Sequence, residues 1–417
     1  MDDPVVASLS REAALELARS NGTILCLDVP AQIEFGIDLR SYTVGPRFRG
    51  IKMIPTNGLH LVTWGSEMHV CATFVELSAS DVSVLRWDAR EEALCQVQEV
   101  DELQRLVHEV RDMRHDAALG PYPLATQEHW SELSKYISAD VLRRAEIPCG
   151  VVVEPGGIDA AELEAELERA AAATAAASAS SDNTRAAAPP APRAAAGGAA
   201  SAASVRVPTA SQAGDVAARA AQFVSLDVRR SGTGRLGAAL STFHLDRSAW
   251  LSELLACHYA SGRTEEEPRT SAAAAEEALL GELQLAYILF LRLSSLRALE
   301  QWKALLHLLC GCDAALRERP QLYCNLAAVL RAQLAFAPDD LFVGGGELGA
   351  ENFLRASLAT LAENSTEGAR LAPALSEGLR RLWDFVGERF GLSLQTLLSD
   401  AGGGEEDQPV YVSVEEA

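Results

Sequence analysis

Residues able to do chemistry are few and dispersed along the chain. His307, Cys310, Cys312 and Cys324 are the densest group of soft ligands, and imidazole with thiolate at suitable spacing holds zinc. Cys310 and Cys312 are two apart and cannot share a helix face, and Cys324 lies beyond the turn that Pro320 opens. Buried thiols in a helical core therefore account for the group. Gly344, Gly345 and Gly346 precede a helix as a phosphate cradle would, yet no Lys-Ser/Thr pair follows to hold the phosphate. The run reads as a loop between helices. There is no Walker loop, G-x-S-x-G elbow or H-E-x-x-H helix, and the eight histidines are scattered. The expectation is a protein that is not an enzyme, without cofactor or metal. Arg229-Arg230-Ser231 offers different chemistry: a phosphate on Ser231 would add negative charge to a linker and undock a neighbour. A solvated, unmodified linker is the alternative.

The elements that would position such groups sit in an acidic chain. Its 417 residues carry 36 Lys+Arg against 58 Asp+Glu, a formal charge of −22. Phosphates repel that balance, so direct nucleic-acid binding is not expected, nor is an anionic membrane surface. A basic protein surface is the partner this charge steers towards. The most apolar stretch, 279–293, is interrupted by Glu282, Gln284 and Arg292. That is a buried helix and not a span of about 20 clean residues. The acidic start MDDPVV has no leader-like apolar core. Eight cysteines are too sparse for a disulfide framework and suit a reducing compartment. Cytoplasm and nucleus follow as the expected location.

Composition divides the chain into a β-rich domain (1–165), an Ala/Ser/Pro-rich linker (166–222), a helical domain (223–398) and an acidic tail with a short strand (399–417). Within 170–204, 19 residues are Ala, and no Leu, Ile, Phe, Trp or Tyr occurs between Glu168 and Gln222. Such a segment cannot bury enough apolar surface to offset ordering entropy and reads as disordered. An acidic helix over 160–177 leads into it. Upstream, a helix over 11–20 stops at Asn21-Gly22. Runs at 23–29, 58–64, 68–77 and 82–87 read as short strands of an antiparallel sheet or sandwich. Val100, Leu103, Leu106, Val107 and Val110 then lie on one helical face, and Thr126 caps a helix that turns Trp130, Leu133 and Ile137 inward. Downstream, helical periodicity predicts one long helix over 279–299, a second through Trp302 and Leu309, a third opened by Pro320, and amphipathic helices over 352–361 and 375–390. The tail ends differently. After Gly402–Gly404 and three acidic residues, Val410, Val412 and Val414 alternate with Tyr411 and Ser413. This lone strand is a candidate for pairing with an edge strand of a partner. A disordered tail, or docking on the chain's own N-terminal sheet, is the alternative.

One segment is too specific for composition to explain. FGIDLRSYTVGPRFRGIKMIP (35–55), followed by NGLH (57–60), resembles the N-terminal signature of the A1-cistron splicing factor (Aar-two) family. GPYPL (120–124), ahead of Trp130 and Ile137-Ser138, is similar to that family's next block. HLDRS (244–248), QLAFAPDDLF (333–342) and NFL (352–354) are similar to blocks of its second half. Gly36, Gly45-Pro46, Gly50 and Pro55 read as turn residues, Phe48, Ile51, Met53 and Ile54 as core, and Arg47, Arg49 and Lys52 as outward-facing. The resemblance implies a multidomain α+β protein with a β-sandwich-like N-terminal domain with helices and an all-α, VHS-like C-terminal domain. It also implies a function: binding the large scaffold protein of the U5 small nuclear ribonucleoprotein at its RNase-H-like and MPN-type domains, as an assembly chaperone. That role keeps RNA and the particle's helicase away until assembly is complete. The protein is then expected to be a monomer when free. A cytosolic trafficking adaptor using a VHS-like domain is the alternative reading.

Overall fold

Strand β1 (Gly22–Leu27) has no polar alternation because it is buried on both faces along its length. In the computed structural model, which describes residues 3–56, 58–66, 69–156, 218–226, 246–260, 271–337, 353–366 and 371–401, Ile24 and Cys26 of this strand enter one core and Leu25 and Leu27 another. The second core is closed by Leu106 and Val110 of the helix Val100–Arg111. Val100 itself, expected on the buried face, is exposed at the helix start.

Two sheets follow. In the first, β1 lies between β7 (Val82–Asp88) and β4 (Gly50–Ile54), with β8 (Ala93–Gln96) and β9 (Gly120–Pro121) at the edges. It is mixed, not antiparallel as expected, because β1 runs parallel to β7 and β4 parallel to β9. The second is antiparallel, in the order β3 (Arg40–Thr43), β2 (Glu34–Ile37), β5 (Leu59–Ser66) and β6 (His69–Glu76). The sheets face each other across Ile24, Ile51, Leu85, Phe35, Val62 and Trp64. Alternate residues of the second sheet (Leu59, Leu61, Ala72 and Phe74) turn the other way, into the core of the helical half. The layers therefore run helix, sheet, sheet, helices. Described residues on either side of 157–217 belong to one compact unit. The segment 157–217, with the expected helix over 160–177, lies outside the described residues.

We number helices in chain order over the described residues: α1 (Pro4–Ala7), α2 (Arg11–Ser20), α3 (Val100–Arg111), α4 (Gln127–Leu133), α5 (Ala139–Arg144), α6 (Ser248–Leu254), α7 (Ala272–Leu293), α8 (Leu296–Cys310), α9 (Asp313–Glu318), α10 (Pro320–Ala335), α11 (Phe353–Thr366), α12 (Pro373–Phe390) and α13 (Leu394–Ala401). The single helix expected over 279–299 is two. Ser294 takes a left-handed conformation (φ 54°), and the Ser295 side chain accepts from the Ala298 amide to cap α8. A Ser-Ser pair inside an apolar run is the local signal for that break. Helix α7 is buried nearly all round and no helix among the described residues is long and apolar enough to cross a membrane.

Close approach of α7 to the N-terminal half requires a glycine. A Cβ on Gly281 would stand 2.3 Å from the Tyr136 carbonyl oxygen and 2.8 Å from Val141 Cγ2. In an open helix Gly→Ala stabilises by about 1 kcal/mol. Here Gly281→Ala is expected to reverse that sign, destabilising by about 1–3 kcal/mol through overpacking against backbone. Urea denaturation of the two proteins measures it, and a gain in midpoint would show that the contact yields freely.

Candidate functional site

The signature segment folds as two pieces, one in each sheet. Strands β2 and β3 form a hairpin, with Ile37 opposite Arg40 and Asp38-Leu39 as its two-residue turn. Asp38 tolerates the left-handed backbone there (φ 53°). The chain then turns at Pro46-Arg47, with the Phe48 amide donating to the Gly45 carbonyl, and enters β4 in the opposite sheet. Ile51, Met53 and Ile54 are buried, Phe48 packs on Phe35 with ring centroids 4.8 Å apart, and Arg47 and Arg49 are exposed. Lys52 turns to the Asp116 carboxylate. Gly36 is not a turn residue but lies within β2, where a Cβ would meet Thr63 Oγ1 at 2.2 Å and Arg292 Nη2 at 3.0 Å.

Three signature blocks converge on one buried group. The Asp38 carboxylate accepts from His60 Nδ1 (2.7 Å), from the Tyr122 hydroxyl (2.7 Å) and from the Leu61 amide (2.9 Å). His60 Nε2 lies 2.7 Å from the Pro55 carbonyl. Both ring nitrogens thus face acceptors, which calls for the doubly protonated imidazolium. Burial alone would lower the His60 pKa, but the Asp38 charge, the hydrogen bond to it and the Pro55 carbonyl outweigh burial and raise it. Burial, then Asp38, pushes the Tyr122 phenol far up, so it stays a donor. The group holds β5, the β2–β3 hairpin and the 120–124 segment together. All three residues stand in the signature blocks, and nothing in their spacing connects them. The available signal was a histidine between leucines in an apolar strand, which must find a buried partner.

The polar interruptions of α7 are the second set of ties. Glu282, almost fully buried, accepts from the Tyr259 hydroxyl (2.8 Å), Gln301 Nε2 (2.7 Å) and the Val224 amide (3.2 Å). Burial still holds its carboxyl above the usual range, against those donors and the Arg144 charge. Gln284 accepts from the Tyr136 amide (2.7 Å) and donates to the Glu132 carbonyl (2.8 Å). Arg292 donates to Ser41 Oγ on β3 at 2.7 Å. The blocks of the second half behave alike. Asp246 accepts from Ser248 and from the Ala314 amide, and the buried Gln333 accepts from Trp302 Nε1 at 3.0 Å. Phe336 meets His129 of α4 edge to face at 5.5 Å.

The other sequence-derived candidates fall apart or fall outside. Cys310 and Cys312 are buried, with Cys312 Sγ donating to the Leu308 carbonyl, while Cys324 is half-buried. These and His307 do not form a converging group of ligands. Ser231, the tail residues Val410, Tyr411, Val412, Ser413 and Val414, and the glycines at 344–346 lie outside the described residues.

The His60 pair makes a signed prediction. A folded pKa above the ordinary value of about 6.5 contributes stability fully present below pH 6.5 and lost as pH rises through the raised value. His60→Gln is expected to cost about 3–5 kcal/mol near pH 6, because Asp38 is left as a buried charge without its cation. That difference from wild type should shrink as pH rises. Denaturant midpoints for both proteins from pH 6 to pH 9 measure it; a constant difference would mean that His60 is neutral.

Comparison with known proteins follows the same division. The model of the AAR2 N-terminal domain matches residues 20–147 and that of the AAR2 C-terminal repeat region matches residues 223–395. The human protein AAR2 homolog is 27% identical over 396 residues, covering 90% of this chain and 93% of its own. The mouse protein AAR2 homolog is 27% identical over 360 residues, covering 83% of each chain. That of Caenorhabditis elegans is 24% identical over 375 residues, covering 89% of this chain and 94% of its own. With both halves matched in order, and with the signature blocks meeting at Asp38, His60 and Tyr122, the chain belongs to the AAR2 family.

Proposed function

We propose that this protein is a non-enzymatic assembly chaperone in pre-mRNA splicing. It binds the central scaffold protein of the U5 small nuclear ribonucleoprotein at its RNase-H-like and MPN-type domains and holds it in a precursor state. The observation that carries the reading is family membership along both halves of the chain. Two physical features support it. The charge of −22 suits a competitor for a basic, RNA-facing protein surface and disfavours RNA itself as ligand. The buried polar residues of the signature blocks, among them Asp38, His60, Tyr122 and Gln333, are spent on internal ties, as expected where the work is to present a shaped surface and not to turn over a substrate.

In this reading the acidic tail supplies a second contact: Val410, Tyr411, Val412, Ser413 and Val414 add a strand to a partner sheet, and the helical half is VHS-like. The protein works as a monomer when free, in cytoplasm and nucleus, and Ser231 is a point at which phosphate would alter docking. Occupancy is steric, so a bound scaffold protein leaves no room for RNA or helicase.

Affinity capture from nuclear and cytoplasmic extract, read by mass spectrometry, is expected to recover the U5 scaffold protein. Recovery with membranes in a flotation assay would favour a trafficking adaptor instead. Deleting residues 405–417 is expected to weaken binding to the purified scaffold domains by roughly 10²-fold, the loss of a second contact on the same chain. Unchanged affinity in that titration would remove the tail from the mechanism.

A further inference from the structure

Strand β6 begins His69-Val70-Cys71, which puts the histidine and the cysteine on the same face of the sheet. The segment that follows α5 runs alongside. Val153 pairs antiparallel with Ala72 through reciprocal amide–carbonyl bonds of 2.9 and 2.7 Å. Continuing that register by one residue sets Glu154 opposite Cys71, on the face shared with His69. The three ligand atoms lie within 4.8 Å of one another, and among the described residues they are the group of this kind that converges. Cys71 is buried, Glu154 half-buried and His69 exposed.

We propose that His69, Cys71 and Glu154 form a binding site for a zinc-type divalent cation. Cys71 Sγ and His69 Nε2 stand 3.3 Å apart. Zinc–sulfur and zinc–nitrogen bonds of ordinary length at a tetrahedral angle place such atoms about 3.6 Å apart. The pair therefore needs only a few tenths of an ångström to admit the ion. Thiolate with imidazole selects zinc over magnesium or calcium, which take oxygen ligands. On binding, the Cys71 thiol gives its proton to solvent as the S–Zn bond forms, His69 coordinates through Nε2 with its proton on Nδ1, and Glu154 supplies one carboxylate oxygen. Three protein ligands leave a fourth position, facing solvent beside His69, for water.

The site also has a place in the fold. Val153 pairs on its other side with Arg219, whose amide donates to the Val152 carbonyl and whose carbonyl accepts from the Glu154 amide. The ion would staple β6 to the bridge segment at Val153 from which the chain departs into 157–217 and against which Arg219 pairs. A cation bound by the folded chain alone stabilises it by mass action.

The test uses the full chain after chelator treatment, titrated with cobalt(II) and followed by the thiolate-to-cobalt charge-transfer band. One equivalent per chain is expected, bleached by zinc, with a matching rise in melting temperature on zinc addition. Cys71→Ser should abolish the band, while His69→Asn and Glu154→Gln should weaken uptake by at least about tenfold. Cys257→Ser, which removes an exposed thiol elsewhere, should leave uptake unchanged. No stoichiometric uptake, a band that survives Cys71→Ser or follows Cys257, or His69→Asn binding as tightly as wild type would each overturn the site. His69 is exposed, so its variant reports on the metal without disturbing the core.

Discussion

The packing of α7 between the helical half and the N-terminal half depends on partnering its buried polar side chains. The helix is core on nearly every side over 279–289, yet this stretch and the turn after it carry the Glu282 carboxylate, the Gln284 amide and the Arg292 guanidinium. A buried polar group without a partner costs about 1–3 kcal/mol, and more when charged. Each of the three therefore binds a different neighbour: Glu282 takes the returning chain at Val224 and the end of the α6 region at Tyr259, Gln284 takes the end of α4, and Arg292 takes β3. An all-apolar α7 would pack as tightly but would be free to rotate or slide by a turn. The polar atoms fix its rotation and height against the second sheet. Gly281 lets it come close enough for Gln284 to reach the Glu132 carbonyl.

The Asp38 group fixes the sheet that α7 packs against. Besides its side-chain bonds, Asp38 exchanges backbone contacts with Leu61, donating its amide to the Leu61 carbonyl and accepting the Leu61 amide through its carboxylate. That pins the register of β5 to the hairpin. A slip of one residue would turn Leu59 and Leu61 away from the helical half and present Val62 and Trp64 to it. Buried ion pairs often contribute little net stability compared with an apolar substitute. What this one contributes is the choice of the face that β5 turns to α7.

Much of this architecture was legible in residue order. The α2 boundaries, strands β1, β5, β6 and β7 and the Pro-opened α10 follow from turn residues and periodicity, because those signals are local. Strands β2 and β3 were not separated from the turns around them, since strands of four residues are too short to show a period. The parallel pairings of β1 with β7 and β4 with β9 were invisible for another reason: they join segments far apart in sequence and rest on tertiary burial. The 294–295 break shows the opposite error, in which a continuous apolar pattern hid a capping serine. At the candidate site, residue types were visible and partnerships were not. His60 read as one of eight dispersed histidines, and only the fold brings Asp38 and Tyr122 to it.

A core that runs through both halves changes how a partner is met. Separating α7 from the second sheet would expose Leu59, Leu61, Ala72 and Phe74 and leave Gln284 unpaired. Burial of each large side chain is worth roughly 1.5–3 kcal/mol, so the halves do not hinge at an affordable free energy. Two surfaces carried on such a body keep a fixed separation and angle. A partner that touches both loses little further conformational freedom on this side of the interface, and the adjustment falls on the partner's own domains. The fixed geometry of this body therefore begins with α7, whose Gln284 and Arg292 side chains bond to the end of α4 and to β3.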